Sequence, residues 1–276
     1  MFYSSIGNTA RYIFDRCGKA AHKLFAADAT KKRSHITVMS FNVQRFKGIN
    51  ADAAVMDAIF KKYTPDIVAF QEYDTSKTLD GVAVDTFLHR YWKYKAVGDT
   101  TIANYTKAVY STPGLISPTT TYYTSYYESR SYQRMSTYVN GKQIAIFNTH
   151  LDYNTPYKYE QAAELLEAVS QEEYFVLLGD INTVCKSTTD ADYVNIVKPF
   201  VDKGYNLSNC TEEHGFLDTW FGGTDLVGGT HQQTDNIITS ANITIDRVSV
   251  DTIKADASLG LTIDHLPLLA YLTVNP

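Results

Sequence analysis

Six apolar runs in this 276-residue chain end in groups able to bind a cation or move a proton. ITVMSFN finishes at Asn42, IVAFQE at Glu72, and IAIFNTHL carries His150. FVLLGDIN supplies Asp180 and Asn182, DNIIT opens at Asp235, and Asp264-His265 precedes LPLLAYL. Any one of these has an ordinary explanation, because Asp and Asn after a strand commonly close turns or cap helices. A lone histidine at a strand end is more often a hydrogen-bonded structural residue than a catalyst. Six such tips in one chain fit a narrower chemistry. Carboxylate and amide oxygens hold a hard cation such as Mg²⁺. A base or a metal activates water, and donors meet the charge that develops on phosphoryl oxygens. This inventory suits the hydrolysis of a phosphate ester.

The elements that must carry these tips are strands with a few helices between them. Ile36 to Asn42, Ile67 to Phe70 and Phe175 to Leu178 are apolar runs of the length of buried strands. Met135 to Val139 and Gln143 to Thr149 flank Asn140-Gly141, a strong hairpin signal. Asp235 to Thr239, Ile243 to Val250 and Leu268 to Val274 read as further strands, with weaker ones over Tyr91 to Val97 and Lys107 to Tyr110. Ala51 to Lys62 reads as a helix with Ala54, Ala58 and Ile59 inward, and Pro156 opens another through about Val169. Asp192 to Lys203 reads as a helix interrupted by Pro199. Residues 117–134, SPTTTYYTSYYESRSYQR, read as strand and surface loop whose interleaved aromatics could stack on a substrate. Mixed strands and helices without a repeat or long linker imply one α/β domain over residues 35–276.

Residues 1–34 differ from the rest. They hold seven Lys/Arg against two Asp, a local +5 in a chain whose net charge is −5, which leaves −10 on the remainder. Ile6, Ala10, Ile13, Cys17, Ala21 and Leu24 recur at helical spacing among the basic residues. A basic amphipathic extension of this kind either packs on its own domain or contacts a membrane surface or partner. The acidic balance of the main domain is unlike that of a nonspecific duplex binder, though a bound cation can reverse the local charge of an acidic site. The cysteines, Cys17, Cys185 and Cys210, are too few and too widely spaced for a disulfide framework or a zinc site, and favour a reducing compartment such as the cytoplasm. No stretch is apolar enough to span a bilayer, and the start lacks the unbroken apolar run of a secretory signal.

In order and spacing, FNV, QE, NTHLD, GDIN, DNI and DHLP resemble the endonuclease/exonuclease/phosphatase superfamily, the deoxyribonuclease I-like enzymes, over roughly residues 35–275. The resemblance implies an α/β fold, a four-layered α/β sandwich with two mixed β-sheets packed face to face and helices outside. It implies a Mg²⁺ site, with Mn²⁺ as a substitute, at Glu72, Asn42 and Asp264. His265 is similar to the histidine that contacts the phosphate, and Asp235 to its carboxylate partner. Asp180 and Asn182 resemble the pair that orients the attacking water, and His150 the second histidine, a phosphate donor or acid for the leaving group. Arg130 resembles a phosphate-contacting base, with Arg134 as its competitor. Gln44, Gln233 and Asn236 depart from the pattern of abasic-site repair enzymes and argue against that activity.

The expected activity is therefore metal-dependent phosphodiester hydrolysis, with nucleic acid as substrate. The competing substrates are phospholipid or inositol phosphate head groups. A head group with several phosphates needs a Lys/Arg-rich pocket, and the loops show no such cluster. A monomer is expected. His89, His214 and His231 lie off the motifs and read as surface or loop residues, Gly222-Gly223 and Gly228-Gly229 as a flexible loop, and Cys185 as structural.

Overall fold

The computed structural model describes residues 34–46, 49–98, 106–221, 231–251 and 263–276. Residues 1–33 of the basic extension and both Gly-Gly pairs lie outside the described residues. In chain order the strands are β1 (His35–Asn42), β2 (Ile67–Gln71), β3 (Thr78–Leu79), β4 (Val82–Ala83), β5 (Tyr94–Val97), β6 (Ala108–Ser111), β7 (Ile116–Tyr122) and β8 (Ser131–Val139). They continue as β9 (Lys142–His150), β10 (Phe175–Asp180), β11 (Asn206–Leu207), β12 (Trp220–Phe221), β13 (His231–Gln232), β14 (Asp235–Thr239), β15 (Ile243–Val250) and β16 (Leu268–Val274). The α-helices are α1 (Ile49–Tyr63), α2 (Val84–Leu88), α3 (Tyr157–Val169) and α4 (Lys198–Asp202).

Two six-stranded mixed sheets form the body, ordered β15-β16-β1-β2-β6-β5 and β11-β14-β10-β9-β8-β7. Their inner faces meet in a core that includes Val38, Ile67, Ala69 and Val109 from the first and Ile144, Ile146, Val176 and Ile237 from the second. Outside the first sheet, Met39, Phe41, Val68 and Phe70 pack with Val55, Met56, Ile59 and Phe60 of α1. Outside the second, Phe147, Phe175 and Leu177 pack with Leu165 and Val169 of α3 and with Ile196, Val197 and Phe200. Strands buried on both faces explain why these runs are continuously apolar rather than alternating. Each fully buried Leu, Ile, Val or Phe contributes about 1.5–3 kcal/mol of transfer free energy. This is the four-layered α/β sandwich expected.

Register brings the polar tips to one end. β1 and β2 run parallel with Asn42 opposite Gln71, and β9 and β10 run parallel with His150 opposite Asp180. β14 runs antiparallel to β10 and begins where β10 ends, pairing Asp235 with Asp180. β16 is antiparallel to β1, so the Asp264-His265 segment before it falls beside the Asn42 end. Between the sheets near this end, Gln71 Nε2 donates to Asn148 Oδ1 at 2.9 Å, and Asn148 Nδ2 donates to the carbonyls of Phe70 and Ala108. A buried amide is costly unless bonded, so this bridge favours one relative placement of the sheets.

Three local readings change. Ala54 is exposed and Ala58 half-buried, and Ile59 alone of the expected trio is buried. Val55, Met56 and Phe60 have more apolar area than the alanines, and they set the rotation of α1 about its axis. The segment over Asp192 to Lys203 is continuous. A π-helical turn, Tyr193–Val197, leads into α4, and Pro199 sits in the first turn of α4, where its missing N–H is not needed. Residues 91–93 precede β5 as a turn.

Candidate active site

The strand tips form one cleft of about 350 Å³, lined in part by Glu72, Arg130, His150, Asp180, Asn182, Asp264 and His265. Asn42 and Asp235 complete the group from beneath. Asn42 Nδ2 donates to Asp180 Oδ2 at 3.0 Å and to Glu72 Oε1 at 3.3 Å. The Asn42 amide is oriented by its own Oδ1, which accepts the Gln44 N–H at 3.0 Å. Asp235 Oδ2 lies 2.9 Å from His265 Nδ1 and accepts the Thr234 hydroxyl at 3.0 Å. The nine residues singled out from the sequence therefore converge, although the first and last are more than two hundred positions apart.

Two tips have unusual backbone. Glu72 has φ +50° and Asn182 φ +51°. Asn tolerates this left-handed region, whereas a glutamate seldom occupies it without support from its surroundings. The support is visible: the Arg45 N–H donates to the Glu72 carbonyl at 3.0 Å, and the next N–H, of Tyr73, donates to Thr106 at 2.8 Å. Asp180 Oδ1 accepts the Asn182 N–H at 3.0 Å, and Asn182 Nδ2 donates to the Leu151 carbonyl at 2.8 Å, which fixes the turn after β10.

His150 Nε2 lies 3.3 Å and His265 Nε2 3.6 Å from Asp180 Oδ2. Arg130 lines the cleft and is ion-paired to Glu128. Arg134 instead bonds Glu172 and is not among the cleft-lining residues, which separates the two candidates. His89 and His214 lie away from the cleft, and His231 Nδ1 lies 3.3 Å from Asp218 Oδ2 beside it. Trp220 was not singled out in the sequence. Its Nε1 donates to Asp264 Oδ2 at 3.1 Å, and its strand bridges His265. Nothing local marks this contact, because it joins segments 44 residues apart. Tyr153 also lines the cleft and escaped notice because a tyrosine after a strand carries no chemical signature of its own.

No family model and no curated protein matches the sequence. Solved structures do match. An endonuclease/exonuclease/phosphatase from Bacteroides vulgatus is 15% identical at TM-score 0.68, covering 88% of this chain and 100% of that one. ANGEL2, a 2′,3′-cyclic phosphatase in complex with adenosine-2′,3′-vanadate, is 14% identical at 0.66, covering 89% and 97%. D. rerio TDP2 complexed with a single-strand DNA product is 15% identical at 0.64, covering 87% and 99%. The chain has the deoxyribonuclease I-like fold that these structures share.

Within this deoxyribonuclease I-like fold, burial and charge set the protonation of the cleft. Burial works against a charge on His265, but Asp235 and Asp180 outweigh it and raise its pKa to about 9. His150 goes the other way: burial first, then the charges of Arg130 and Lys107, hold it well below the ordinary histidine value. One imidazole is thus cationic and the other neutral near pH 7. Burial raises Asp180 above the usual carboxylate range, aided by Asp235 and opposed by His265 and the Asn42 amide.

The donor set fits a hard divalent cation. Asp264 Oδ1 is buried without a hydrogen-bond partner among the described residues, and the Glu72 carboxylate opens on the same cleft. Oxygen atoms left in this state are what Mg²⁺ or Mn²⁺ takes as ligands. Asp180, Asp235 and His265 also place ligand atoms within 4.8 Å of one another. That trio is already paired within itself, His265 to Asp235 by a hydrogen bond and to Asp180 by charge at 3.6 Å. His265 Nδ1 is engaged by Asp235 Oδ2 at 2.9 Å, which commits that nitrogen to the carboxylate.

Proposed function

We propose that this chain is a divalent-metal-dependent phosphodiesterase acting on nucleic acid by in-line attack of water. The observation that carries the reading is the convergence of Glu72 and Asp264 with the His265–Asp235 pair and Asp180 around one cleft. Glu72 and Asp264 would hold the cation, with Asn42 supporting Glu72 through its Nδ2 rather than ligating by its own oxygen, which Gln44 engages. When bound the cation supplies positive charge against the phosphoryl oxygens.

The remaining work falls to the chain's own groups. Asp180, raised by burial, orients the attacking water and accepts its proton, since a carboxylate poised nearer neutrality is the stronger base. Asn182 holds the turn that aims Asp180. His265, kept cationic by Asp235, donates from Nε2 to a phosphoryl oxygen as charge builds there. His150 serves as a neutral donor rather than as the acid for the leaving group, because its pKa is depressed. Arg130 adds a fixed positive charge at the wall.

Among the described residues Arg130 is the one Lys or Arg lining the cleft. That matches a single phosphodiester better than a head group bearing several phosphates. The structural neighbours include a TDP2 holding single-strand DNA product and a 2′,3′-cyclic phosphatase, which supports nucleic-acid phosphoesters as the class. The test is a panel of plasmid DNA, single-stranded DNA, RNA, sphingomyelin and phosphoinositides with Mg²⁺, Mn²⁺ and Ca²⁺. Nucleic acid is expected to be cleaved, with loss in Glu72→Ala and His265→Ala. Activity retained by both variants would refute the site, and cleavage of lipid alone would refute the substrate class.

A further inference from the structure

Beside the cleft stands an aromatic rim that the hydrolytic mechanism does not use. Tyr127 and Tyr153 are 63% and 53% exposed, well above the usual state of large rings. Their centroids are 6.5 Å apart at 83°, and Tyr157 lies against Tyr127 at 6.2 Å. Tyr153 is three residues beyond His150 and itself lines the cleft, so the rim is continuous with the catalytic wall.

The rim is held in place from below. Asp152 is fully buried, and its Oδ2 accepts the N–H groups of Tyr127 and Glu128 at 3.2 and 3.0 Å. Its Oδ1 accepts the Asn154 N–H at 2.9 Å, so one carboxylate ties together the loops bearing Tyr127 and Tyr153. Gln161 accepts the Asp152 N–H at 2.7 Å and donates to the Ser125 carbonyl at 2.8 Å. Glu164 accepts the Thr124 N–H at 3.0 Å. A loop fixed at so many points presents its rings without the entropy loss that a mobile loop would suffer on binding. The same loop runs on to Arg130 at the cleft wall, which links the ring positions rigidly to the phosphate position.

We propose that Tyr127 and Tyr153, standing nearly perpendicular, form a platform with a corner for a nucleobase adjoining the scissile phosphate, one ring stacking on its face and the other meeting its edge, which makes an unpaired strand or strand end the substrate. Stacking on aromatic side chains is how bases are taken up without sequence preference, and it requires a base whose face is free. Duplex binding instead relies on many cationic phosphate contacts, and the surroundings here are acidic: Glu128, Glu160 and Glu164 flank the loop. The same carboxylates oppose an anionic bilayer, which draws basic segments.

This inference rests on the phosphodiesterase reading, and one experiment separates their failures. The full-length chain is assayed with Mg²⁺ on two matched single-stranded oligonucleotides, one complete and one with abasic residues flanking the cleaved bond. The parent is expected to prefer the complete strand by about tenfold in kcat/KM, mostly through KM. Tyr127→Ala and Tyr153→Ala should erase most of that preference, and Tyr127→Phe and Tyr153→Phe should keep it. A parent that cleaves both strands equally, or Ala variants that keep the preference, would remove the platform and leave the phosphodiesterase standing. A parent that cleaves neither strand would remove both. Sedimentation with phosphatidylcholine/phosphatidylserine vesicles, if lost in the Ala variants, would assign the rings to a bilayer and overturn the proposal.

Discussion

His265 presents Nδ1 to Asp235 Oδ2 at 2.9 Å across 30 positions of sequence, with both side chains buried. The carboxylate fixes the ring's orientation, keeps it protonated and leaves Nε2 aimed toward Asp180. Removing the charge while keeping the shape isolates this effect. Asp235→Asn should lower kcat on a single-stranded oligonucleotide by about a hundredfold or more with a much smaller change in KM. Steady-state kinetics decides it, and an unchanged kcat would exclude a catalytic role for the charge that Asp235 holds on His265.

Glu72 carries the next prediction. Its carboxylate receives only part of the Asn42 amide among the described side chains, and it faces the cleft. A ligand that binds only the native state raises the melting temperature in proportion to the logarithm of its concentration. The parent should therefore melt higher as Mn²⁺ or Mg²⁺ is added, and Glu72→Gln should lose most of that rise while melting near the parent without metal. Differential scanning calorimetry reads both. Equal metal-induced shifts in the two proteins would take Glu72 out of the ligand set.

The strands and their tips were legible for a simple reason: a strand buried on both faces is apolar throughout, so the first polar residue after it stands out. FVLLGDIN and ITVMSFN each became a strand ending at the cleft. What the sequence hid depends on pairing between distant segments. The Gln71–Asn148 bridge, the Trp220–Asp264 bond and the joining of two tyrosine loops by Asp152 each need the fold before they exist. The rotation of α1 is hidden in the sequence for a different reason. Alanine contributes little to the burial that sets a helix's orientation, so Ala54 and Ala58 were weak guides beside Val55, Met56 and Phe60.

Gly179 is fixed by close approach rather than by its backbone angles. A Cβ there would sit 2.5 Å from the Thr149 carbonyl oxygen and 2.6 Å from its Cγ2, on the neighbouring parallel strand. A backbone carbonyl in a ladder cannot yield cheaply. Gly179→Ala should cost roughly 2 kcal/mol or more of stability, and because Asp180 follows directly it should also displace the cleft. Urea unfolding provides the check. A midpoint within error of the parent would mean that β9 and β10 separate more easily than their packing suggests.

Lys107 provides a pH test independent of catalysis. It is 1% exposed, and burial first, then the charge of Arg130, lower its pKa from 10.5 to about 7. Between those values the unfolded chain binds more protons at this site than the folded one. The site therefore disfavours folding increasingly as pH falls from about 10.5 toward 7, with the full penalty present below that. Lys107→Met keeps the apolar stem and removes the titration. Its melting temperature relative to the parent should be higher at about pH 6.5 than at about pH 9, by the equivalent of roughly 2 kcal/mol, or several degrees. Comparing the difference at two pH values cancels whatever packing or bonding the substitution alters equally at both. A gap that stays constant with pH would mean that Lys107 remains charged in the folded protein, and that its ammonium rather than a neutral amine faces Arg130 and His150.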